Sequence, residues 1–357
     1  MKCNLEKIKY YTIGNDKLKA KIMNYGCTLL SLYVTTASGE TLDVVLGYEE
    51  IKNYFNNPPC FGSCVLPNAN RIENAEFSLN GEMYHLDKND NKNNLHSGFE
   101  PLHKRLWDTV SVDETSINFS IQCDDMDMGF PGNQTFDVRY SIEDNKLKIE
   151  YEGTSDKDTL FNPTNHSYFN LLGHGKCDIL THELIINADT FTPSDNASIC
   201  HGEIVTVADT PMDFRESVQI GSRINVDYDQ LVWGNGYDHN YVINESATKP
   251  SELRVPKSDR NITGHGAVPS VIPSATLTAP DKSLTLNIYT DAPCIQLYTG
   301  NYLSWQDIGK GNVKYGPRYG VALETQYAPN AINVDTFKKP ILRKGETAHS
   351  TTVYEFT

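Results

Sequence analysis

Short segments of alternating hydrophobic and polar residues run along most of the chain, with turn-forming residues between them. A period of two is typical of half-buried β-strands. The pattern predicts strands near residues 107–112, 117–123, 135–142, 146–152, 276–279, 284–290, 294–299 and 319–327. Residues 49–55 are predicted to form at most a single helical turn, and no long segment has a period of 3.6 residues. The sequence therefore predicts an all-β protein.

Residues 162–172, Asn-Pro-Thr-Asn-His-Ser-Tyr-Phe-Asn-Leu-Leu, combine strand-forming residues with a histidine. In a strand, successive side chains point to opposite faces. One face would carry hydrogen-bonding groups and an aromatic ring: Thr164, His166, Tyr168 and Asn170. That face suits a polar, ring-shaped ligand, although most polar strand faces are simply solvated.

Residues 319–327 have two faces of different character. Their apolar face consists of Val321, Leu323, Thr325 and Tyr327. Their other face consists of Gly320, Ala322, Glu324 and Gln326. The small residues would leave room for a ligand, and a carboxylate there would need a partner or a chemical role. A glutamate on a solvated sheet face is the alternative.

Several polar residues lie in turns between the predicted strands. Arg71 follows Asn70 at the end of one turn, His96 follows a polar loop, and Asp238 precedes a short strand. Each is a candidate for ligand binding, and each could equally be an ordinary surface residue.

Residues 244–274 are rich in Pro, Ser, Asn and Gly. Such a segment is either a domain linker or a long surface excursion, and long loops are often functional. The 357 residues could form one large domain or two ordinary ones. We expect a single domain over residues 1–357, with 244–274 as a surface loop or insertion.

Composition and charge narrow the class of partner. The formal net charge of −15 and the lack of a basic run argue against nucleic acid or an anionic membrane as the main partner. No apolar stretch approaches the roughly 20 residues of a membrane helix, and the N-terminus lacks a secretory signal. We expect a cytoplasmic protein whose eight cysteines are reduced.

Motifs for a metal or nucleotide are missing from the sequence. His174, Cys177 and His182, or Cys60 and Cys64, come nearest to ligand spacing, but neither set has the paired pattern of a zinc site. There is no phosphate-binding glycine loop and no Gly-x-Ser-x-Gly elbow. We expect neither a metal nor an organic cofactor.

Taken together, eight segments resemble the aldose 1-epimerase (galactose mutarotase) family in order and approximate spacing. They are residues 43–48, 70–72, 94–98, 129–133, 164–171, 236–240, 296–301 and 323–333. The resemblance implies a large antiparallel β-sandwich, the galactose mutarotase-like supersandwich, with few short helices and a shallow sugar site on a concave face. It also implies an enzyme, monomeric or homodimeric, that interconverts the α and β anomers of hexoses such as D-galactose and D-glucose.

The resemblance also implies roles for individual residues. Glu324 would be the base at the C1 hydroxyl and His166 the acid at the ring oxygen, with the roles reversed on ring closure. The substrate-binding positions would be Arg71, His96, Asp238, Asn70, Gln326 and Tyr168.

Two other functions fit the same fold. One is an epimerase of a phosphorylated hexose, which would need basic residues for the phosphate. The other is a non-catalytic carbohydrate-binding or sensing protein, which would not need both Glu324 and His166. Residues 66–71 depart from the glycine-rich approach usual in the family, and Ser97-Gly98 replaces its usual Gly-Gly. The preferred sugar stays open.

Overall fold

A computed structural model describes residues 5–253 and 271–357. Most of the predicted 244–274 excursion, residues 254–270, lies outside this part of the chain. The described residues contain one short α-helix, Asp229–Gly234, and single turns of 3₁₀ helix. The 3₁₀ turns are Leu5–Lys7, Ile51–Phe55, Glu73–Ala75, Leu102–Lys104, Asp127–Gly129, Ile220–Ser222, Pro250–Leu253, Lys310–Asn312 and Ala331–Asn333.

The largest sheet has nine strands, all paired antiparallel. In spatial order they are Asp108–Val112, Ser116–Cys123, Gln134–Glu143, Lys146–Ser155, Thr347–Phe356, Thr285–Thr290, Ala275–Thr278, Glu183–Ile186 and Val218–Gln219. The two longest hairpin strands alternate buried and less buried residues, as the sequence pattern predicts.

A second, six-stranded antiparallel sheet carries the polar segments singled out above. Its strands in spatial order are Tyr168–Phe169, Val321–Gln326, Cys294–Tyr298, Asp238–Val242, Thr190–Thr192 and Val205–Thr206.

The remaining strands form one four-stranded sheet and several two-stranded ladders. The four-stranded sheet comprises Tyr10–Gly14, Leu18–Met23, Leu29–Thr35 and Thr41–Asp43. The ladders pair Ser63–Val65 with Thr164–His166, Arg71–Ile72 with Asn94–Leu95, Glu76–Leu79 with Glu82–His85, Thr159–Leu160 with Ile341–Leu342, and Asp307–Ile308 with Lys314–Tyr315.

One hydrophobic cluster joins the two large sheets. Phe136 and Ile149 from the nine-stranded sheet and Leu297 and Leu323 from the six-stranded sheet belong to it, and each is at most 1% exposed. Because inward-facing residues alternate along each strand, the six-stranded sheet is left with an opposite face that does not contribute to this core. The expected all-β sandwich with few short helices is confirmed.

The segment 162–172 differs from a single continuous strand. Thr164–His166 pairs with Ser63–Val65, whereas Tyr168–Phe169 pairs with Val321–Gln326 in the six-stranded sheet. The strand is interrupted at Ser167, because the residues before it and the residues after it pair with two different strands.

In the described residues, no helix is long and apolar enough to cross a membrane.

Candidate active site

A cavity of about 740 Å³ opens over the face of the six-stranded sheet that points away from the large core. Its floor follows from strand register. Asp238 pairs with Tyr298, Tyr298 with Ala322, and Ala322 with Tyr168, so these side chains form one row across four strands. The alternation that sends Val321 and Leu323 into the core therefore sends the polar residues to the cavity.

His166 and Glu324 meet in the adjacent row. The pairing of Tyr168 with Ala322, extended back by two residues, places His166 opposite Glu324. The His166 Nε2 and Glu324 Oε1 atoms are 3.6 Å apart, both side chains line the cavity, and both are more than nine-tenths buried. Two groups that can exchange protons thus lie side by side at the edge of one cavity.

Burial controls the proton affinity of both groups. It raises the pKa of the Glu324 carboxyl well above its ordinary value, and the nearby charge of Asp238 raises it further while Arg71 lowers it. Burial also lowers the pKa of His166 to about 4, against an opposing effect of Asp238. Both shifts disfavour charge in the site. They favour a neutral imidazole beside a protonated carboxyl, a state in which the pair holds one proton between its two members.

Asn70, Arg71 and His96 approach the cavity from the ladder of Arg71–Ile72 with Asn94–Leu95. The Asn70 backbone N–H donates to His96 Nδ1 over 3.1 Å, and the His96 backbone N–H donates to the Asn70 backbone carbonyl over 3.1 Å. Arg71 Nε donates to Asp90 Oδ2 over 2.7 Å, which fixes the direction of the guanidinium. These bonds orient the His96 ring and the Arg71 guanidinium at the cavity.

The tautomer of His96 follows from its partner. Since Nδ1 accepts a hydrogen bond, the proton of a neutral imidazole must reside on Nε2. Burial lowers the pKa of His96 well below its ordinary value, so the ring is neutral. His96 therefore presents a neutral N–H donor to the cavity that it lines.

Among the described residues, His96, His166 and Glu324 form a group in which the possible metal-ligand atoms lie within 4.8 Å of one another. The geometry alone would suit a metal with histidine and carboxylate ligands. However, ligation through His96 Nε2 would move the proton to Nδ1, where it would face the Asn70 N–H. The hydrogen bonding of this group thus favours a donor to a ligand oxygen over a metal ligand.

Asp238 is held by Gln296, which lies in the neighbouring strand. Gln296 Nε2 donates to Asp238 Oδ1 over 2.7 Å. Gln296 also pairs directly with Glu324 across the sheet, and it is only 3% exposed. One amide therefore stands between the two carboxylates of the site and orients Asp238.

The cavity brings together most of the residues that the sequence singled out. Its lining includes Glu324, His166, Arg71, His96, Asp238, Asn70 and Tyr168. The Tyr168 ring lies 5.0 Å from the His166 ring, and its hydroxyl donates to the Pro59 carbonyl. Gln326 lies on the same sheet face but one row behind Glu324; it is 1% exposed and not part of the lining.

Several site residues were missed by the sequence analysis. Tyr298 and Cys60 line the cavity, Gln296 orients Asp238, and His103 Nε2 lies 4.0 Å from Cys60 Sγ. The alternation of residues 294–299 could have placed Gln296 and Tyr298 on one strand face. Alternation does not specify which strand lies next to residues 294–299, because strand pairing joins residues that are far apart in the sequence.

The outer part of the cavity is formed by the 3₁₀ turn Ile51–Phe55 with the loop after it, and by residues 302–308. Within the described lining, Lys52 and Arg71 are the only lysine and arginine. The Lys52 side chain is 68% exposed and lies 3.8 Å from Glu50, and Arg71 is paired with Asp90.

Comparison with known proteins identifies relatives along almost the entire chain. The family model described as aldose 1-epimerase matches residues 9–355. The galactose mutarotase of Rattus norvegicus is 35% identical over 350 residues, covering 98% of this chain and 94% of the relative. The aldose 1-epimerase of Escherichia coli (strain K12) is 32% identical over 346 residues, covering 96% and 93%.

Solved structures give the same result. The GalM/aldose epimerase homologue from C. elegans superposes with a TM-score of 0.84 at 28% identity, covering 98% of this chain and 99% of the other. The galactose 1-epimerase from Lactobacillus acidophilus NCFM gives a TM-score of 0.79 at 27% identity, covering 98% of each chain. On this agreement of sequence and fold, the chain belongs to the aldose 1-epimerase family.

Proposed function

We propose that the protein is an aldose 1-epimerase, which interconverts the α and β anomers of hexoses such as D-galactose and D-glucose. The observation that carries the proposal is the pair of His166 and Glu324, 3.6 Å apart, buried and facing one polar cavity. An isomerisation of this kind needs one acid and one base, which this pair can supply.

The reaction begins with the transfer of two protons. The Glu324 carboxylate takes the proton of the C1 hydroxyl while protonated His166 gives a proton to the ring oxygen. The C1–O5 bond breaks and C1 becomes an aldehyde. Each positioned group contributes typically ~10²–10⁴-fold to such a step.

Ring closure reverses the roles. Rotation about the C1–C2 bond presents the other face of the aldehyde to the C5 hydroxyl. Neutral His166 takes the hydroxyl proton, and the protonated Glu324 returns a proton to the carbonyl oxygen. Both groups end in their starting state, so the cycle needs no redox partner and no net proton.

The starting state requires the shared proton to be on His166. Burial disfavours the separated charges in the free enzyme. A sugar brings hydroxyl groups that donate to the carboxylate, and these would stabilise the ionised form. We therefore expect substrate binding itself to draw the proton from Glu324 to His166.

The remaining candidates would hold the sugar. Asp238 accepts from a hydroxyl, Arg71 donates to hydroxyl or ring oxygens, and His96 offers a neutral N–H. Charged hydrogen bonds of this kind are the stronger ones. Asn70 orients His96, and Tyr168 packs beside His166.

Polarimetry tests the proposal directly. Freshly dissolved α-D-galactose or α-D-glucose should approach its equilibrium rotation faster with catalytic amounts of protein than in buffer. If the protein accelerates no aldose, the enzymatic proposal fails and a carbohydrate-binding or sensing protein becomes the better account. If a phosphorylated hexose is preferred, an epimerase of a phosphorylated hexose becomes the better account.

A further inference from the structure

A group of buried polar side chains includes Glu324 and extends from it to residues that do not line the cavity. Gln326 follows Glu324 by two residues and therefore faces the same way, one row further in. It is 1% exposed, and within the described part of the chain neither its Nε2 nor its Oε1 has a hydrogen-bond partner.

Three neighbours share this condition. Thr164 precedes His166 by two residues, as Gln326 follows Glu324, and the strand Thr164–His166 contacts the strand Val321–Gln326. Thr164 Oγ1, Glu324 Oε2 and Gln296 Oε1 are each buried without a hydrogen-bond partner among the described residues. We refer to Thr164, Gln296, Glu324 and Gln326 as the inner polar layer.

Such a layer is costly unless something pairs with it. A buried donor or acceptor without a partner loses the hydrogen bonds that it makes with water in the unfolded chain, and nearly all buried polar groups in proteins are paired. A buried water typically makes two to four hydrogen bonds to groups of this kind. The Gln326 amide, the Thr164 hydroxyl and Glu324 Oε2 together offer enough donors and acceptors for two to four such hydrogen bonds.

We propose that the inner polar layer binds ordered water, and that Gln326 acts through this water as a positioning residue for the Glu324 carboxyl. The proposal rests on the proposed function, since it concerns the group assigned there as the base. Oε1 of Glu324 is the oxygen near His166, and Oε2 is the oxygen without a protein partner. Water that donates to Oε2 would stabilise the carboxylate without occupying the sugar site.

The chemical consequence lies in the ionised state of Glu324. Burial favours the neutral acid, whereas proton removal from the C1 hydroxyl requires the anion. A hydrogen bond from this water to Glu324 Oε2 offsets part of the solvation that the anion loses on burial. Without Gln326, the shared proton would reside more on Glu324 and less on His166, so fewer molecules would start in the reactive state.

The charged and titratable groups around Glu324 stay unchanged in the variants below. They are His166 and Tyr168 on the neighbouring strands, Asp238 and Tyr298 across the sheet, Arg71 and His96 on the ladder above, Cys60 in the adjoining loop, and Tyr354 beneath. A shift in the pH profile can therefore be assigned to the inner polar layer.

The test compares Gln326→Met, which keeps the volume and removes the amide, with Gln326→Asn, which keeps an amide. For Gln326→Met we expect kcat to fall at least about tenfold with KM within twofold, and the alkaline limb of the kcat profile to move to higher pH. Gln326→Asn should keep most of kcat and the wild-type limb. The matched control is Gln134→Met, another buried glutamine, which lies in the nine-stranded sheet.

Gln134→Met should leave kcat and the pH profile unchanged even if stability falls. The proposal is overturned if Gln326→Met keeps the wild-type kcat and alkaline limb, or if Gln134→Met shifts the limb equally.

A high-resolution crystal structure gives a readout that does not depend on activity or on the variants folding. It should show ordered water bonded to Gln326 and Glu324 Oε2, and a dry layer would contradict the proposal. An inactive wild type with ordered water in the layer would instead refute the proposed function alone.

Discussion

Burial of Glu324 opposes the ionised state that its proposed role requires. In the proposed reaction Glu324 must be ionised to remove a proton, yet its pKa is raised because the folded protein excludes water from it. The folded chain partly offsets this with Arg71, whose charge lowers the pKa of Glu324. A pKa raised in this way destabilises the folded protein when the group is ionised, and such shifts are common at functional carboxylates.

Replacing Glu324 by Gln should stabilise the protein while removing activity. The folded pKa of Glu324 lies above its unfolded value near 4.5, so the folded state binds the proton more tightly. Stability from this group is therefore complete below pH 4.5 and declines as the pH rises toward the folded pKa. We expect Glu324→Gln to unfold at higher denaturant concentration than wild type at pH 8, with the difference vanishing near pH 4. Equal differences at both pH values would show that Glu324 is not desolvated in the folded state.

The acid limb of activity should lie far below the ordinary pKa of histidine. His166 gains its proton alongside neutral Glu324 only as the pH falls through its lowered pKa of about 4. Below that value the carboxylate is no longer available as a base, so kcat/KM should fall there and stay level between about pH 5 and 7. Polarimetric rates across this range provide the measurement. A midpoint near 6.5 would mean that burial does not control His166.

At the scale of single elements, the segment 162–172 illustrates what alternation can and cannot predict. Alternation correctly separates the core residues Phe169 and Leu171 from His166 and Tyr168. It does not reveal the change of partner strand at Ser167, because pairing depends on residues about 100 to 150 positions away. That change is what brings His166 opposite Glu324.

A buried ion pair anchors the loop that forms the outer cavity. Lys310 Nζ donates to Asp43 Oδ2 over 2.6 Å and to the Leu30 and Val45 carbonyls, which ties residues 302–313 to the four-stranded sheet. Lys310→Met would leave Asp43 as an unpaired, mostly buried charge, at a cost of about 3–5 kcal/mol. Urea unfolding should show this loss.

Asp43→Asn combined with Lys310→Met is the matched control, since it removes both charges. We expect the double variant to be more stable than Lys310→Met alone. If the two variants are equally destabilised, the ion pair has no role beyond packing.

At the scale of the whole molecule, the sequence motifs predicted the fold and the group of polar residues at the cavity. Residues as distant as Arg71 and Glu324 line one cavity, as the family resemblance implied. The supporting contacts of Gln296 and the inward position of Gln326 could not be predicted, because both depend on which strands become neighbours.

The negative charge of the whole molecule gives a further test. At a net charge of −15, a charged substrate would bind with a strong dependence on ionic strength. A neutral hexose feels no such field, so kcat/KM should change less than about twofold between low and high salt, since salt screens charge interactions alone. Measurement with D-galactose in sodium chloride checks this. A steep dependence of kcat/KM on salt for D-galactose would contradict the account, because a neutral sugar has no charge for salt to screen.

The central claim is that His166 and Glu324 work as one unit on a single shared proton. The most direct measurement is the polarimetric rate of the wild type, Glu324→Gln, His166→Asn and the double variant under identical conditions. Groups that act as a unit have strongly non-additive effects. We predict that each single variant loses roughly 10²-fold or more in kcat, and that the double variant is no slower than the slower single one. Losses that multiply, or wild-type rates in either single variant, would contradict the account.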